Sequence, residues 1–332
     1  MRLFRFLLSR LLTFFFVVWI GLTTLFFVPR LLPANPIDLM LGRMQSMGGV
    51  MTPDQVTAMR SSLETLFALK GDLLHQYLSF LKSVIVNQDF GLSLSMYPTP
   101  VSQLIGQALP WTLGLVLTST VLAWFIGNFI GLLAGYFPKR VASRVFESVS
   151  MFLYPIPYFV LALILLIVFT YLVPIFPITT TIVGDGFQLD HIVSILYNSL
   201  LPALSIIIVG IGWWVISMKA LSSDIVEEDF VQFAKLKGLS DSRVMGRYVL
   251  PNAMLPQITV LALQLGTAFG GALLTEVLFG YPGLGTLIYQ AIIQSDYNLT
   301  MGAVALSVVA VAFAAFVIDV LYPFLDPRIR VR

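Results

Sequence analysis

Residues 224–256 read DIVEEDFVQFAKLKGLSDSRVMGRYVLPNAMLP and lie between two apolar runs, Leu201–Met218 and Gln257–Phe279, each long enough to cross a bilayer. A connection between two spans needs only a few turn residues, yet this one carries two helix patterns separated by a glycine. Phe230, Phe233 and Leu236 recur at roughly helical spacing, with Asp224, Glu227, Glu228 and Asp229 toward the start and Lys235 and Lys237 in the last turn. That order suits the helix dipole at both ends. Gly238 stands where a helix terminus favours positive φ. Ser240 follows as an N-cap, with Asp241 in the first turn of a second helix. That helix is expected to pass through Val244, Tyr248 and Val249 and to stop before Pro251. A folded loop with an apolar face at a tight corner suits docking into a partner protein or lying on lipid headgroups. Spacing alone does not separate the two.

The rest of the chain puts this loop in a membrane. Hydrophobic residues make up 58% of it and charged residues 11%, against about 25% charged in soluble domains. Cysteine is absent, which excludes disulfides and thiolate metal sites. Arg2, Arg5 and Arg10 precede an unbroken apolar run, Leu11–Val28. That run is longer than the ~7–15-residue core of a signal peptide and no small-x-small cleavage site follows, so it reads as a retained first span.

Residues 31–105 form a long polar segment in which Leu63, Leu66, Phe67, Leu73, Leu74, Tyr77, Leu78 and Leu81 mark one or two amphipathic helices broken near Gly71. A small cap on the outer face of the bundle is the preferred reading over a ligand site. A second span follows at about Trp111–Phe137, where Gly127, Gly131 and Gly135 place a smooth strip on one helix face for close helix approach. The third span, about Glu147–Leu172, contains Tyr154-Pro155-Ile156-Pro157-Tyr158, and two prolines so close break a helical ladder. Such a break serves packing or lines a pathway. The fourth span is about Leu200–Lys219 and carries Trp213-Trp214; the fifth is about Gln257–Phe279, with Gly266, Ala268, Gly270, Gly271 and Ala272. Gly280–Thr300 reads as a short re-entrant helix, and the sixth span is about Met301–Tyr322.

Charge placement gives an independent topology. Arg2, Arg5, Arg10, Lys139, Arg140, Arg144, Lys219, Lys235, Lys237, Arg243, Arg247, Arg328, Arg330 and Arg332 all fall on one side, and these are fourteen of the 19 basic residues. The other five lie between Arg30 and Lys82, in and beside the long segment, where the positive-inside rule is weak. Neither Val173–Ser199 nor Gly280–Thr300 holds a Lys or Arg. The expected fold is an all-α polytopic membrane protein with six transmembrane helices, both termini cytoplasmic and an extracytoplasmic helical insertion after the first span. Its parts would be 1–30 (N-terminal segment and first helix), 31–105 (insertion) and 106–332 (permease core, with the cytoplasmic loop 220–256).

Several chemistries are excluded. No Gly-Lys dipeptide occurs, so there is no phosphate-binding P-loop and the chain is not its own ATPase. His75 and His191 are isolated, which leaves no metal site, and no catalytic constellation sits at membrane depth. Only Glu276 and Asp319 bring charge into spans, both near an end. An ion-coupled secondary transporter, the alternative function, should carry more intramembrane charge and internal repeats. Glu276 is expected to be hydrogen-bonded at a helix break near an outer gate, with direct substrate contact the other option.

Glu228-Asp229-Phe230-Val231-Gln232-Phe233-Ala234-Lys235-Leu236-Lys237-Gly238-Leu239-Ser240, with Leu250-Pro251-Asn252-Ala253-Met254-Leu255-Pro256 beyond it, resembles the cytoplasmic "EAA" loop of ABC-importer permeases in its oligopeptide/dipeptide permease form. The alanine, the glycine four residues on and the Asn-Ala-x-x-Pro all fall in place; Phe233 departs from the alanine or threonine common there. The resemblance extends to Gln88–Ser93, Leu109–Leu113, Glu276–Phe279, Pro282–Gly285, Ala291, Asp296-Tyr297, Asp319-x-x-Tyr322 and the Asp326-Pro327-Arg328 ending. It implies a plasma-membrane permease subunit that forms half of a translocation pathway working by alternating access. Implied partners are a second, different permease subunit, two cytoplasmic ABC ATPase subunits and an extracytoplasmic solute-binding protein, in the lipid bilayer and without nucleic acid. Glu228, Asp229, Phe230, Phe233, Ala234, Lys237, Gly238, Leu239 and Ser240 would couple to the ATPases. Thr118, Asn128, Tyr154, Tyr158, Gln264, Thr267 and Glu276 are candidates for the path. No catalytic residue, cofactor or metal is implied. The substrates of such a family are peptides, nickel chelates or oligosaccharides, and the tryptophan in Leu109-Pro110-Trp111-Thr112 leans toward sugars such as cello-oligosaccharides.

Overall fold

The computed structural model describes residues 2–28, 41–42, 52–66, 72–184, 186, 188–267 and 272–325. Phe67, Gly71, Ala268, Gly270, Gly271 and the Asp326-Pro327-Arg328-Ile329-Arg330 ending lie outside them, as do the side chains of Leu63, Leu66, Thr267 and Tyr322. Everything regular among the described residues is helical, apart from one bridge between Leu92 and Pro100. A chain this apolar must satisfy its backbone polar groups within itself, and a helix does so segment by segment.

Among the described residues, five helices are long and apolar enough to cross a membrane. They are α1 (Arg2–Phe27), α4 (Val101–Tyr136), α7 (Leu189–Glu227), the run from α9 into α10 (Asp241–Gly266), and α13 (Tyr297–Leu325). The shorter helices of the order are α2 (Pro53–Leu66), α3 (Leu73–Leu81), α5 (Val141–Leu153), α6 (Tyr158–Leu166), α8 (Asp229–Leu236), α9 (Asp241–Val244), α10 (Leu250–Thr267), α11 (Leu273–Phe279) and α12 (Leu284–Ile293). The expected third span is a broken one: α5 and α6, the latter extended by a π-helical turn to Leu172, meet at 95°. Pro155 and Pro157 remove two donors within one turn. Tyr154 N–H still reaches the Ser150 carbonyl at 2.9 Å, and the Pro157 carbonyl then opens α6 by accepting from Val160 N–H at 2.9 Å.

Two other spans are longer than expected. The 36 residues of α4 extend about 54 Å and the 39 of α7 about 58 Å, against a hydrocarbon core of about 30 Å. Helix α4 begins at Val101 rather than Trp111 and runs through Pro110. A lone proline costs one donor. The helix expected to stop before Pro251 likewise continues. The chain opens into a π-helical turn over Met245–Val249, with Leu250 N–H bonding to the Met245 carbonyl, and α10 carries on through Pro251 and Pro256. Widening the turn just ahead of Pro251 makes room for its ring.

The chain divides into two compact units. The first comprises residues 1–110 and 283–316. In it the start of α4 packs through Val101, Ile105 and Ala108 on α12 (Leu284, Leu287, Ala291) and α13 (Leu299, Ala303). A second cluster joins Val18 and Leu22 of α1 to Val84, Ala305 and Ala312. The loop before α4 is clasped by the buried Asp296. Its Oδ2 accepts from Ser93 Oγ (2.5 Å), Leu94 N–H (2.8 Å), Ser95 N–H (2.9 Å) and Ser95 Oγ (2.8 Å), while Oδ1 caps α13 at Leu299 N–H (3.0 Å).

The second unit comprises 111–282 and 317–332. The glycine strip of α4 faces α7 there. A Cβ on Gly131 would lie 2.7 Å from the Val215 carbonyl and 2.8 Å from Met218 Cβ, and Gly127 and Gly135 abut Trp214 and Ser222. On another side of α7, Gly212 lies against the α5 backbone at Ser150 and Tyr154.

Candidate functional site

The 224–256 loop is anchored from within the second unit. Helix α7 ends at Glu227, and the extended Glu228 (φ −64°, ψ 143°) turns the chain into α8. Val231 and Ala234 of α8, with Val244, Val249 and Ala253 beyond it, are buried against Leu132 and Tyr136 of α4 and Met218 of α7. Leu239 joins this cluster from its edge. Tyr136 OH donates to Asp241 at 2.8 Å, and Lys235 Nζ lies 5.4 Å from the Tyr136 ring. The corner has the expected backbone: Gly238 at φ +76° bonds back to the Lys235 carbonyl at 2.9 Å. Ser240 occupies the N-cap position, but its hydroxyl makes no cap hydrogen bond; Ser242 Oγ lies 3.5 Å from it.

The other face of α8 is bare. Phe230 is 44% exposed, Phe233 59% and Leu236 85%. Glu228, Asp229, Lys237, Gly238 and Ser240 border this face and are also exposed. Lys237 Nζ sits 4.6 Å over the Phe233 ring. One short helix is therefore held by one side and presents three large apolar side chains on the other, with acids at its start and lysines at its end. Contiguous exposed apolar groups with a polar border mark interaction surfaces. Phe233, the departure from the family pattern, lies on the bare face and not in the internal packing.

The path candidates scatter through the same unit. Thr118 is exposed and its hydroxyl donates to its own helix at the Gly114 carbonyl. Asn128 is 4% exposed; Nδ2 donates to the Trp124 carbonyl at 2.7 Å, and Oδ1 has no partner among the described residues. Tyr154, half-exposed at the α5–α6 break, stacks on Trp213 of α7 at 5.5 Å, beside Tyr158 at the start of α6. Gln264 is half-buried in α10.

Glu276 is fully buried in α11 and accepts from Thr112 Oγ1 at 2.7 Å. Tyr281, just beyond α11, bonds Ser199 of α7 at 3.0 Å and receives Trp111 edge-on at 6.0 Å. Thr112, Ser199, Glu276 and Tyr281 thus gather at one end of the unit. Of the path candidates, Glu276 is the one in this group.

Two connections had no sequence signal. Gln257 of α10 holds Ser217 Oγ through Nε2 at 2.8 Å, and its carbonyl receives Trp124 Nε1 at 3.3 Å. Lys219 of α7 pairs with Glu147 of α5. Both link residues far apart in sequence, and no local spacing announces them.

Residues 127–331, more than half of the chain and including the whole anchored loop, match the model of the binding-protein-dependent transport system inner membrane component family. The chain belongs to this family. Similar curated proteins include the oligopeptide transport system permease protein AppB of Bacillus subtilis, 31% identical over 94% of this chain and 95% of its own length. The dipeptide transport system permease protein DppB of the same organism is 28% identical over 93% and 92%. The glutathione transport system permease protein GsiC of Escherichia coli is 27% identical over 98% and 99%. Family and helices together make the chain a multi-pass plasma-membrane permease subunit of an importer, not an enzyme.

Proposed function

We propose that the chain forms one half of the pathway by which peptides, delivered by an extracytoplasmic solute-binding protein, enter the cell at the expense of ATP hydrolysed by two cytoplasmic ABC subunits. A second, different permease chain supplies the other half. The observation that carries this reading is the bare face of α8: Phe230, Phe233 and Leu236 stand exposed on a helix fixed by Val231 and Ala234. ATPase closure that pushes on this face is passed through α8 to α4 and α7, because the buried side of α8 packs on both. Glu228, Asp229, Lys237, Gly238, Leu239 and Ser240 shape that contact. Both termini and the loop 220–256 are cytoplasmic, and residues 31–105 start on the opposite side of the membrane from them.

The peptide reading rests on relatives named for oligopeptides, dipeptides and glutathione. Trp111, the residue that leaned toward sugars, packs edge-on against Tyr281. The alternative of ion coupling gains nothing from Glu276, which is buried against Thr112. The path candidates Tyr154 and Tyr158 stand at the unit's surface.

The test is uptake of a labelled di- or oligopeptide into proteoliposomes holding the assembled importer, with ATP inside and a proton uncoupler present. Uptake that persists at constant ATP, and fails for Phe233→Asp while the variant still inserts, is expected. Uptake that collapses with the proton gradient overturns the reading.

A further inference from the structure

The segment after the first span holds a feature that an extracytoplasmic cap does not require. Helix α3 starts beside the end of α1: Tyr77 OH lies 2.7 Å from Thr23 Oγ1, and the Tyr77 and Phe80 rings pack on Phe26 at 5.3 and 5.6 Å. From there the chain runs back along α1. A π-helical turn, Lys82–Asn87, continues α3, and its Val84 is buried against Val18, Leu22, Ala305 and Ala312. Val18 lies nine residues before Phe27, about 13 Å along a helix, and half of a hydrocarbon core is about 15 Å. Val84 therefore reaches close to the depth of the bilayer midplane.

Most of what this segment shows away from α1 is apolar as well. Leu73, Leu74, Leu78, Ile85 and Val86 are each more than half exposed. Two basic side chains are exposed among them, His75 in the first turn of α3 and Lys82 further in, and the long arm of Lys82 can carry its charge toward the headgroups while its stem lies in hydrocarbon. Where the segment ends, Val84 and Ile85 form one wall of a cavity of about 460 Å³, closed by Phe14, Phe15, Val18 and Val309. Gln88 and Ser102 are the polar side chains in its lining. The cavity is continuous with the lipid-facing surface of α1, because Phe15 belongs to both: it is 57% exposed and stands among the exposed Phe16 and Trp19.

We propose that Leu73–Asn87 is a re-entrant element immersed in the leaflet at the Phe27 end of α1, and that the cavity behind Ile85 seats one acyl chain of a membrane phospholipid. A volume of this order suits a flexible chain of drug-like size. An acyl chain matches the lining, which offers almost no hydrogen-bonding partner. The inference rests on α1 crossing the membrane and is independent of what the importer carries.

This chain has no cysteine, so a single introduced one is its one site for a thiol-reactive spin label. Leu78→Cys, Ile85→Cys and, as a water-exposed comparison on α2, Thr57→Cys are spin-labelled in the assembled importer in phosphatidylethanolamine/phosphatidylglycerol proteoliposomes. At positions 78 and 85, collisions with oxygen are expected to exceed those at 57 several-fold, and collisions with a soluble nickel chelate to be several-fold lower. A phospholipid carrying a mid-chain diazirine is expected to crosslink to the segment around Val84. Gly106→Phe, whose added ring fills the cavity where a Cβ meets nothing within 4 Å, is expected to remove that crosslink and leave the oxygen signal at 78 intact. Nickel accessibility at 78 and 85 equal to that at 57 overturns the proposal in favour of an aqueous cap. Protection from both reagents overturns it in favour of a protein partner. A crosslink unaffected by Gly106→Phe overturns the acyl-chain seat.

Discussion

Gly238 is the residue whose replacement separates backbone strain from bulk at the proposed ATPase contact. At φ +76° it holds the corner between α8 and α9 in the left-handed region, which costs a residue with a Cβ about 1–2 kcal/mol and a β-branched one up to about 3 kcal/mol. Within the chain a Cβ there meets nothing within 4 Å, so alanine and valine add strain without a clash. Helix α8 itself remains fixed by Val231 and Ala234. A penalty of 1–2 kcal/mol lowers the population of the native corner by about 5–30-fold where folding back depends on a partner. Asparagine adopts left-handed φ more readily. Membrane insertion is expected to be unchanged in all variants, while co-purification with the ATPase subunits and peptide uptake fall in the order Gly, Asn, Ala, Val. Full uptake by Gly238→Val with normal stimulation of ATP hydrolysis would refute the corner as a coupling element and favour the headgroup-lying alternative. An asparagine variant as poor as valine would refute the strain argument and assign the constraint to space at the docked surface.

Asp296→Ala leaves four donors of the Ser93–Ser95 loop without their acceptor, each costing about 1–3 kcal/mol if it stays dry; a loss of folded protein in detergent, read by thermal unfolding, is expected to exceed that of Asp296→Asn. Gly131→Ala should cost about 1–3 kcal/mol by forcing α4 from the Val215 carbonyl, whereas Gly114→Ala, with nothing within 4 Å, should be neutral or stabilise by about 0.4–1 kcal/mol; equal melting temperatures for the pair would contradict the packing of the glycine strip. A topology reporter fused after Val183 should report outside and one after Ser240 inside, and a cytoplasmic signal at Val183 would contradict the six-span arrangement.

Much of the fold is legible because its signals are local. The charge order of α8, the glycine that ends it and the four-residue glycine spacing of α4 each act within one or two turns, and each appears in the structure where the sequence places it. One misplaced boundary comes from reading a lone proline as punctuation. The helix expected to stop before Pro251 runs on into α10, and α4 and α7 likewise run through Pro110 and Pro202. One missing donor per helix is tolerated when packing or a widened turn satisfies the freed carbonyl. Pro155 and Pro157 remove two donors within a turn, and there the chain bends by 95°. Density of prolines, not their presence, decides the outcome in this chain.

The polar end of the second unit shows why path residues were less legible than the loop. Thr112 and Glu276 are 164 positions apart, and their hydrogen bond exists only because α4 and α11 meet. Read singly, Thr112 is an ordinary helix residue and Trp111 an aromatic suited to stacking on a sugar. Read together, they have occupations: Thr112 holds a buried carboxylate, and Trp111 packs edge-on against a tyrosine that is itself tied to Ser199. A side chain that already packs in this way has little left to offer a ligand. The groups still able to meet a solute are those that the structure leaves on the surface, Tyr154 on its Trp213 platform and Tyr158 at the helix break. Tyr154→Ala should therefore alter the KM of peptide uptake more than Thr112→Val, which should instead lower the melting temperature because it removes one donor from a buried acid. The reverse pattern, with Thr112→Val changing KM at unchanged stability, would place the substrate at Glu276 and not at the α5–α6 break.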